Sequence, residues 1–476
     1  MEEKVKKSKE DVKIVIVGAG IAGLSAAKHL HDAGFNNVTI LEATSRIGGR
    51  IHTIPFGKTD SEIIELGAQW IHGEGEENSV YTFAMDHDLL NPLIRWNWRT
   101  GKFYNESGHA ISEEISMKAM NLAFEVEETL DEESRTKNIL ADEDLYLYGY
   151  FDRRFEKLAS TEFPKDDEDN AKDCFNYFLN YLRFDNGNDL RLQFSQNFGG
   201  YFAVGENKDV CISNGGFQTI TDLLASYLPK DSIHLDSPVS SIKWSTPEIK
   251  VVCDSGAEFS ADHVIVTLSL GYLQKHHEHL FEPSLPLNKS QALHQIGYGT
   301  VNKIFLYYDE PFWTKGQGTI RFAWTDKNRE IKNADEWYKA IHAFDEPHNN
   351  AHVLVGSVVG EEGKYIENLD IKEVSRVCTQ QIRMFLNDDS IPAPRDVLVT
   401  KWNSNKWSCG SYSYMKQESS ESRRNDLGQP LFNDDNKPVV LFAGEACHKS
   451  RFSTADGARS TGIDQAQILV NLYSLE

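Results

Sequence analysis

KIVIVGAGIAGLSAAKHLHDAGFNNVTILE, residues 13–42, contains a complete βαβ unit. Lys13 to Val17 is a short apolar run rich in β-branched residues and closed by Gly18, which reads as a buried parallel strand. Ala22 to Ala33 carries helical spacing through Leu24, Ala27 and Leu30, with Gly34 placed to end the helix. Val38 to Leu41 is a second strand. Between the first strand and the helix lies Gly18-Ala19-Gly20-Ile21-Ala22-Gly23, a G-x-G-x-x-G. Such glycines permit a tight turn, let the backbone approach a pyrophosphate and bring helix close to strand, while the helix N-terminus supplies donors. Glu42 ends the second strand 24 residues after Gly18, where a carboxylate accepts hydrogen bonds from an adenosine ribose. The motif in this setting points to an adenine dinucleotide.

The next residues choose which one. Glu42-Ala43-Thr44-Ser45-Arg46-Ile47-Gly48-Gly49-Arg50 runs from the ribose acid into an Arg/Gly cluster whose guanidiniums and backbone amides suit a pyrophosphate. With this R-x-G-G-R the sequence resembles the flavin amine oxidase family. The resemblance continues in family order. Glu65-Leu66-Gly67-Ala68-Gln69-Trp70-Ile71-His72-Gly73 is similar to the segment passing beside the flavin, in the form found in the animal spermine and acetylpolyamine oxidase branch. Ser237-Pro238-Val239 resembles the segment whose valine backbone holds the adenine. Gly299-Thr300-Val301-Asn302-Lys303-Ile304-Phe305 resembles the strand bearing the active-site lysine, and Pro311-Phe312-Trp313 follows as in that branch. Lys401-Trp402, Trp407 and Gly410-Ser411-Tyr412-Ser413-Tyr414 resemble the W…GSYSY segment, and Phe442-Ala443-Gly444-Glu445-Ala446-Cys447-His448 the closing FxGEAxH motif.

What the resemblance implies is carried residue by residue. The cofactor is FAD, held by Gly18, Gly20, Gly23, Glu42, Arg46, Gly49, Arg50, Gly67, Ala68, Gln69, Trp70, Val239, Trp402, Glu445, Ser453 and Thr454. Lys303 holds a water near the reacting edge of the flavin. His72 stands on the substrate side, and Trp407, Tyr412 and Thr454 line the substrate's place, a flat aromatic wall suiting an aliphatic cation. Ser411 occupies the position of the cysteine that binds FAD covalently in monoamine oxidases, so the flavin is expected to be non-covalent. Ser453-Thr454 stands where those enzymes place a second aromatic wall, as in the animal polyamine branch. Phe198-Gly199-Gly200-Tyr201 departs from that branch, because spermine oxidases have a glutamate for the distal amine where this chain has Gly200; Asp189 and Glu206 are candidate replacements.

Composition bounds the rest. At 476 residues the chain makes several domains, and 40% apolar with 11% aromatic content excludes a disordered chain. With 49 Lys and Arg against 72 Asp and Glu the net charge is −23, which repels nucleic acid and anionic membranes and attracts polycations. The six cysteines form no C-x-x-C and read as free thiols, and no metal site is legible. The charged start MEEKVKKSKED lacks the apolar core of a signal peptide, and no apolar run is long enough to span a bilayer, so a soluble cytoplasmic protein is expected. The sequons at Asn105 and Asn288 read as chance matches in that setting.

Residues 91–204 turn polar and acidic, with runs such as EVEETLDEES and KDDEDNAKD that suit exposed helices or loops. A helix is expected after Gly215-Gly216, strands at Ile249–Val252, His263–Leu270, Lys303–Tyr308, His352–Val359 and Val439–Phe442, and a last helix over Asp456–Tyr473. The expected fold is α/β, a Rossmann-type FAD-binding domain of residues 1–90, 205–285 and 396–476 interleaved with an α+β substrate domain of residues 91–204 and 286–395. The function implied is oxidation by O2 of a secondary amine of spermine or an acetylated polyamine, with a smaller polyamine, an aminoaldehyde and H2O2 as products. An oxidase of another amine and a non-catalytic flavoprotein are the alternatives. Oligomeric state is not legible.

Overall fold

Lys13–Val17 lies inside a sheet whose strand order is Leu431–Phe432, Pro438–Phe442, His263–Val266, Lys13–Val17, Asn37–Leu41, Ile233–His234. All neighbours are parallel except the first pair. The register sets Val15 between Val264 and Thr39. Both faces of the strand are covered, Ile14 and Ile16 entering one core and Val15 and Val17 another, which is why the run is apolar without alternation. The helices Ile21–Asp32 and Ala455–Ser474 pack so closely that a Cβ on Gly462 would stand 2.2 Å from the Ala22 carbonyl oxygen. This computed structural model describes residues 7–95, 101–136, 144–202, 204, 206–212, 215–245, 248–416 and 421–474; the first six residues of the charged leader lie outside it.

A second sheet runs Asp396–Val399, Val301–Tyr307, Val353–Val359, Ala343–Asp345, Ile320–Ala323, Lys102–Asn105. It is antiparallel but for its last pair. The helix Ile371–Leu386 backs it, Phe385 meeting Phe322 with ring centroids 4.7 Å apart. Three helices, Glu113–Arg135, Leu147–Glu162 and Glu168–Asp185, form an aromatic bundle beside it, in which Phe155 stacks on Phe175 at 4.5 Å. Between the two sheets lie the short strands Ile63–Glu65 and Ile71–Glu74, the latter paired antiparallel with Glu206–Ile212. These carry the residues of the site.

Two expectations need correction. The strand begun at His263 stops at Val266, and Leu270 opens a helix whose cap, Ser269, accepts from the Tyr272 amide. The acidic runs are helical but only one-sidedly exposed, because Val126 and Leu130 are core residues and Asp173 is 5% exposed. Burial, together with the charges of Asp326 and Glu106, pushes the Asp173 carboxyl up to about 7. Among the described residues no helix is long and apolar enough to cross a membrane.

The third glycine of the motif carries a stability prediction. A Cβ on Gly23 would lie 2.0 Å from the Gly18 carbonyl oxygen, whereas one on Gly20 meets nothing within 4 Å. Gly23→Ala should therefore cost about 2 kcal/mol or more, measured as a lowered melting temperature of FAD-free protein, while Gly20→Ala melts with the parent.

Candidate active site

The dinucleotide end is prearranged by its own side chains. Glu42 is 7% exposed and accepts from the Ala19 amide at 2.8 Å and from the Thr44 amide and hydroxyl at 2.9 and 2.8 Å. That fixes the carboxylate at the tip of its strand. The helix Ile21–Asp32 begins at Gly20 with no side-chain cap, so its N-terminus faces the open ground that Gly20 leaves. Arg46 gives its donors to the carbonyls of Ile47, Ile51 and Gly49, so it shapes the loop rather than standing free as a fork for phosphate. Arg50 donates to Glu445 Oε1 at 2.8 Å and to the Ser411 carbonyl at 2.9 Å. Although burial opposes ionisation of Glu445, the charge and hydrogen bond of Arg50, with the Ser413 hydroxyl, hold its carboxyl below the ordinary value. An acid for a ribose, an uncapped helix end over a side-chain-free glycine and a paired arginine beyond it fit FAD.

Lys303 is held by the strip that follows the Ile63–Glu65 strand. Its Nζ donates to the carbonyls of Glu65 at 2.9 Å and Gly67 at 2.8 Å and to Gln69 Oε1 at 3.3 Å. Burial brings the amine down to about 8, against the charge of Glu65. Trp402 donates its indole N–H to the Leu66 carbonyl at 3.1 Å, and the Ala68 amide donates to the Arg50 carbonyl at 3.2 Å. Lys303, Gln69, Trp402, Gly67 and Arg50 are thus one connected group. Trp70 lies 6.1 Å from the His348 ring.

His72 faces a set of acids that sequence reasoning missed. The strand register places it opposite Asp209, whose Oδ1 is 3.0 Å from its Nδ1. Burial pulls the imidazole pKa down, but Asp209 and then Asp185 overcome that and raise it. Asp185 is the last residue of its helix; burial, only partly offset by His72 and aggravated by Asp209, brings its carboxyl up to about 6. Glu127, on the Glu113–Arg135 helix, is brought up to about 8 by burial and then by Asp185, Asp131 and Glu128. Yet the His72 side chain is 43% exposed and Asp185 is exposed. The group is therefore open to solvent while its charges crowd one another. Tyr412 joins it, its hydroxyl donating to the Phe184 carbonyl at 2.6 Å and its ring against Gly187. Asp209 could have been found from alternation in the strand opposite His72; Asp185 and Glu127 sit within acidic helices and carry no local mark.

Other expected residues are placed elsewhere. Trp407 meets Tyr272 at 5.7 Å and Lys406 at 4.2 Å rather than the group around His72, because it sits on the loop that Ser269 holds at its carbonyl. Asp189 caps the turn Leu190–Leu192 by accepting from the Arg191 amide, so it is already engaged; the side chain of Glu206 lies outside the described residues. A Cβ on Gly200 would meet Met415 Cε at 3.1 Å. Val239 opens a strand beside the Glu42 end of the sheet and is buried. The Ser411 hydroxyl bridges the Val301 amide and carbonyl at 2.8 and 2.9 Å. Ser453, at φ +68°, gives its amide to Glu445, and the Thr454 hydroxyl accepts from the Gly457 amide at the start of the last helix.

Comparison with known proteins agrees with this geometry. The family described as flavin containing amine oxidoreductase matches residues 21–470. The peroxisomal N(1)-acetyl-spermine/spermidine oxidase of Bos taurus is 32% identical over 97% of this chain and 95% of its own length. The same protein of Homo sapiens is 30% identical over 97% and 95%. Polyamine oxidase 1 of Zea mays is 27% identical over 96% and 90%. The structure of wild-type putrescine oxidase bound to putrescine superposes with a TM-score of 0.72 at 19% identity, covering 97% of this chain and 99% of that one, which shows the shared α/β fold.

The His72–Asp209 pair yields a titration prediction. Asp209→Asn removes the larger of the two charges that raise the imidazole, leaving burial in command. The His72 pKa should fall, read from nitrogen-15 histidine NMR spectra of parent and variant; an unmoved titration would show that Asp209 does not govern this ring.

Proposed function

The chain belongs to the flavin-containing amine oxidoreductases, and from that premise we propose that it oxidises a secondary amine of spermine or of an acetylated polyamine. The balanced change is amine plus O2 plus water giving a smaller polyamine, an aminoaldehyde and H2O2. The observation that carries the choice of substrate is the set of carboxylates, Asp185, Asp209 and Glu127, brought together from three separate elements, with Asp185 close enough to act on Glu127, His72 and Tyr412 alike. Carboxylates gathered at one place, Asp185 and Glu127 among them raised by burial, are relieved by a ligand with several cationic nitrogens. A monoamine would relieve one.

FAD, when bound, supplies the two-electron acceptor. The chain's own residues do the rest. Tyr412 supplies an aromatic wall for an aliphatic chain, and His72, paired to Asp209, is oriented to hold a substrate nitrogen. The reacting nitrogen must be neutral for its lone pair to assist departure of the adjacent hydrogen, while distal nitrogens remain ammonium against the carboxylates. Lys303 is the group we assign to hold water at the reacting face. The flavin is held without a covalent bond, since no cysteine stands at position 411 and the Ser411 hydroxyl is occupied by Val301. A cytoplasmic setting belongs to the same proposal, supported by six unpaired cysteines.

Acid precipitation should release all the flavin to the supernatant; flavin retained on the pellet contradicts non-covalent binding. For the substrate, spermine and N-acetylspermine should bleach the flavin anaerobically and simple aromatic monoamines should not. Asp185→Asn should then raise KM for spermine about tenfold, ~1.4 kcal/mol, with kcat much less changed. A monoamine that outperforms both polyamines would favour the alternative of another amine.

A further inference from the structure

Glu65 is a buried acid, 6% exposed, at the centre of the strip that holds Lys303. Its Oε1 accepts from the Phe217 amide at 2.7 Å and its Oε2 from the Thr53 hydroxyl at 2.7 Å. Phe217 is the cap of the helix Gln218–Ser226, so the carboxylate sits where a helix favours negative charge. Gly216, at φ +70°, makes the approach possible, because a Cβ there would stand 2.4 Å from Oε1. Chain conformation has thus been committed to keeping a carboxylate in a place where burial raises its pKa and the Phe217 and Thr53 donors work against that rise.

The same residue's carbonyl oxygen accepts from Lys303 Nζ, and Gly67 O and Gln69 Oε1 complete three acceptors around it. Three acceptors match the three donors of an ammonium; a neutral amine has two N–H and a lone pair. Burial works the other way. The titratable groups facing the amine are Glu65, on the Ile63–Glu65 strand, and Cys211, on the Glu206–Ile212 strand. The Cys211 thiol is pushed up by burial and stays neutral, so the carboxylate is the charge that supports the ammonium.

We propose that Glu65 is a positioning residue that sets the proton affinity of Lys303, fixing the carbonyl strip through its hold on Phe217 and Thr53 and supplying the buried negative charge behind it. The proposal extends the assignment of Lys303 at the reacting face and does not depend on which amine is the substrate. With Glu65 in place the amine is poised between the ammonium, whose three donors are taken by the strip, and the neutral amine, whose lone pair can accept from a water; without it burial drives the amine fully neutral.

The test measures the amine directly. Trace acetic anhydride is reacted with FAD-loaded and FAD-stripped protein across a pH series, and acetylation of the Lys303 peptide is quantified by mass spectrometry. The parent should titrate near 8. Glu65→Gln, which keeps the shape and the acceptor for the Phe217 amide and can donate its amide N–H to the Thr53 oxygen, should lower that midpoint by about half a pH unit or more with FAD content and melting temperature unchanged. Thr53→Val removes a donor that helps keep Glu65 ionised, and should also move the midpoint downward; it decides the matter if Glu65→Gln does not fold. Midpoints equal to the parent in the variants that fold overturn the proposal. Because no substrate is present, a failed polyamine panel leaves this result standing, and a failed titration leaves the polyamine reading untouched.

Discussion

Three consecutive backbone carbonyls, those of Glu65, Leu66 and Gly67, hold the site together. A buried carbonyl needs a donor, and here the donors come from far along the chain, Lys303 taking the first and third and Trp402 the second. Gly67 adds a steric constraint, since a Cβ would lie 1.8 Å from the Arg50 carbonyl oxygen. The strip therefore joins the loop of the dinucleotide cradle to the second sheet. Displacing any member leaves a half-buried carbonyl or amine without its protein partner, and each such loss costs about 1–3 kcal/mol.

Charge is organised differently at the two ends. Around the cradle, ions are paired within the protein: Arg50 with Glu445, which also takes the Ser413 hydroxyl and the Ser453 amide. Around His72 the balance is uneven, with Asp209 and Asp185 facing its single imidazole and Glu127 crowding Asp185. A protein gains nothing by itself from crowding carboxylates where burial raises their pKa. A polycation makes the arrangement favourable, and the net charge of −23 draws such ligands inward.

The cradle was legible in residues 13–50 because its determinants are local. A strand, a glycine turn, a helix N-terminus and an acid at the next strand end follow one another within a few tens of residues, and each is recognisable from its neighbours. Lys303 and Trp402 were reachable through resemblance, although the carbonyls they serve were not. Trp407 shows the limit: it shares a segment with Trp402, but the loop turns its ring to Tyr272. Gly200 invited a search for a replacement acid nearby in sequence; of the two candidates Asp189 is engaged as a cap and the side chain of Glu206 lies outside the described residues, while the acids that face His72 are Asp209 and Asp185.

Local chemistry alone was enough for the βαβ unit, the acid at the end of its second strand and the dinucleotide, since these depend on backbone conformation and short-range hydrogen bonding. Packing alone decided which charges share a cavity. Glu127 and Asp185 belong to acidic helices whose acids look alike in sequence, and only the way those helices meet each other and the strand of Asp209 brings Asp185 beside Glu127, Asp209 and His72. The energy of a charge depends on its distance to other charges and to water, and those distances exist only once the chain has folded.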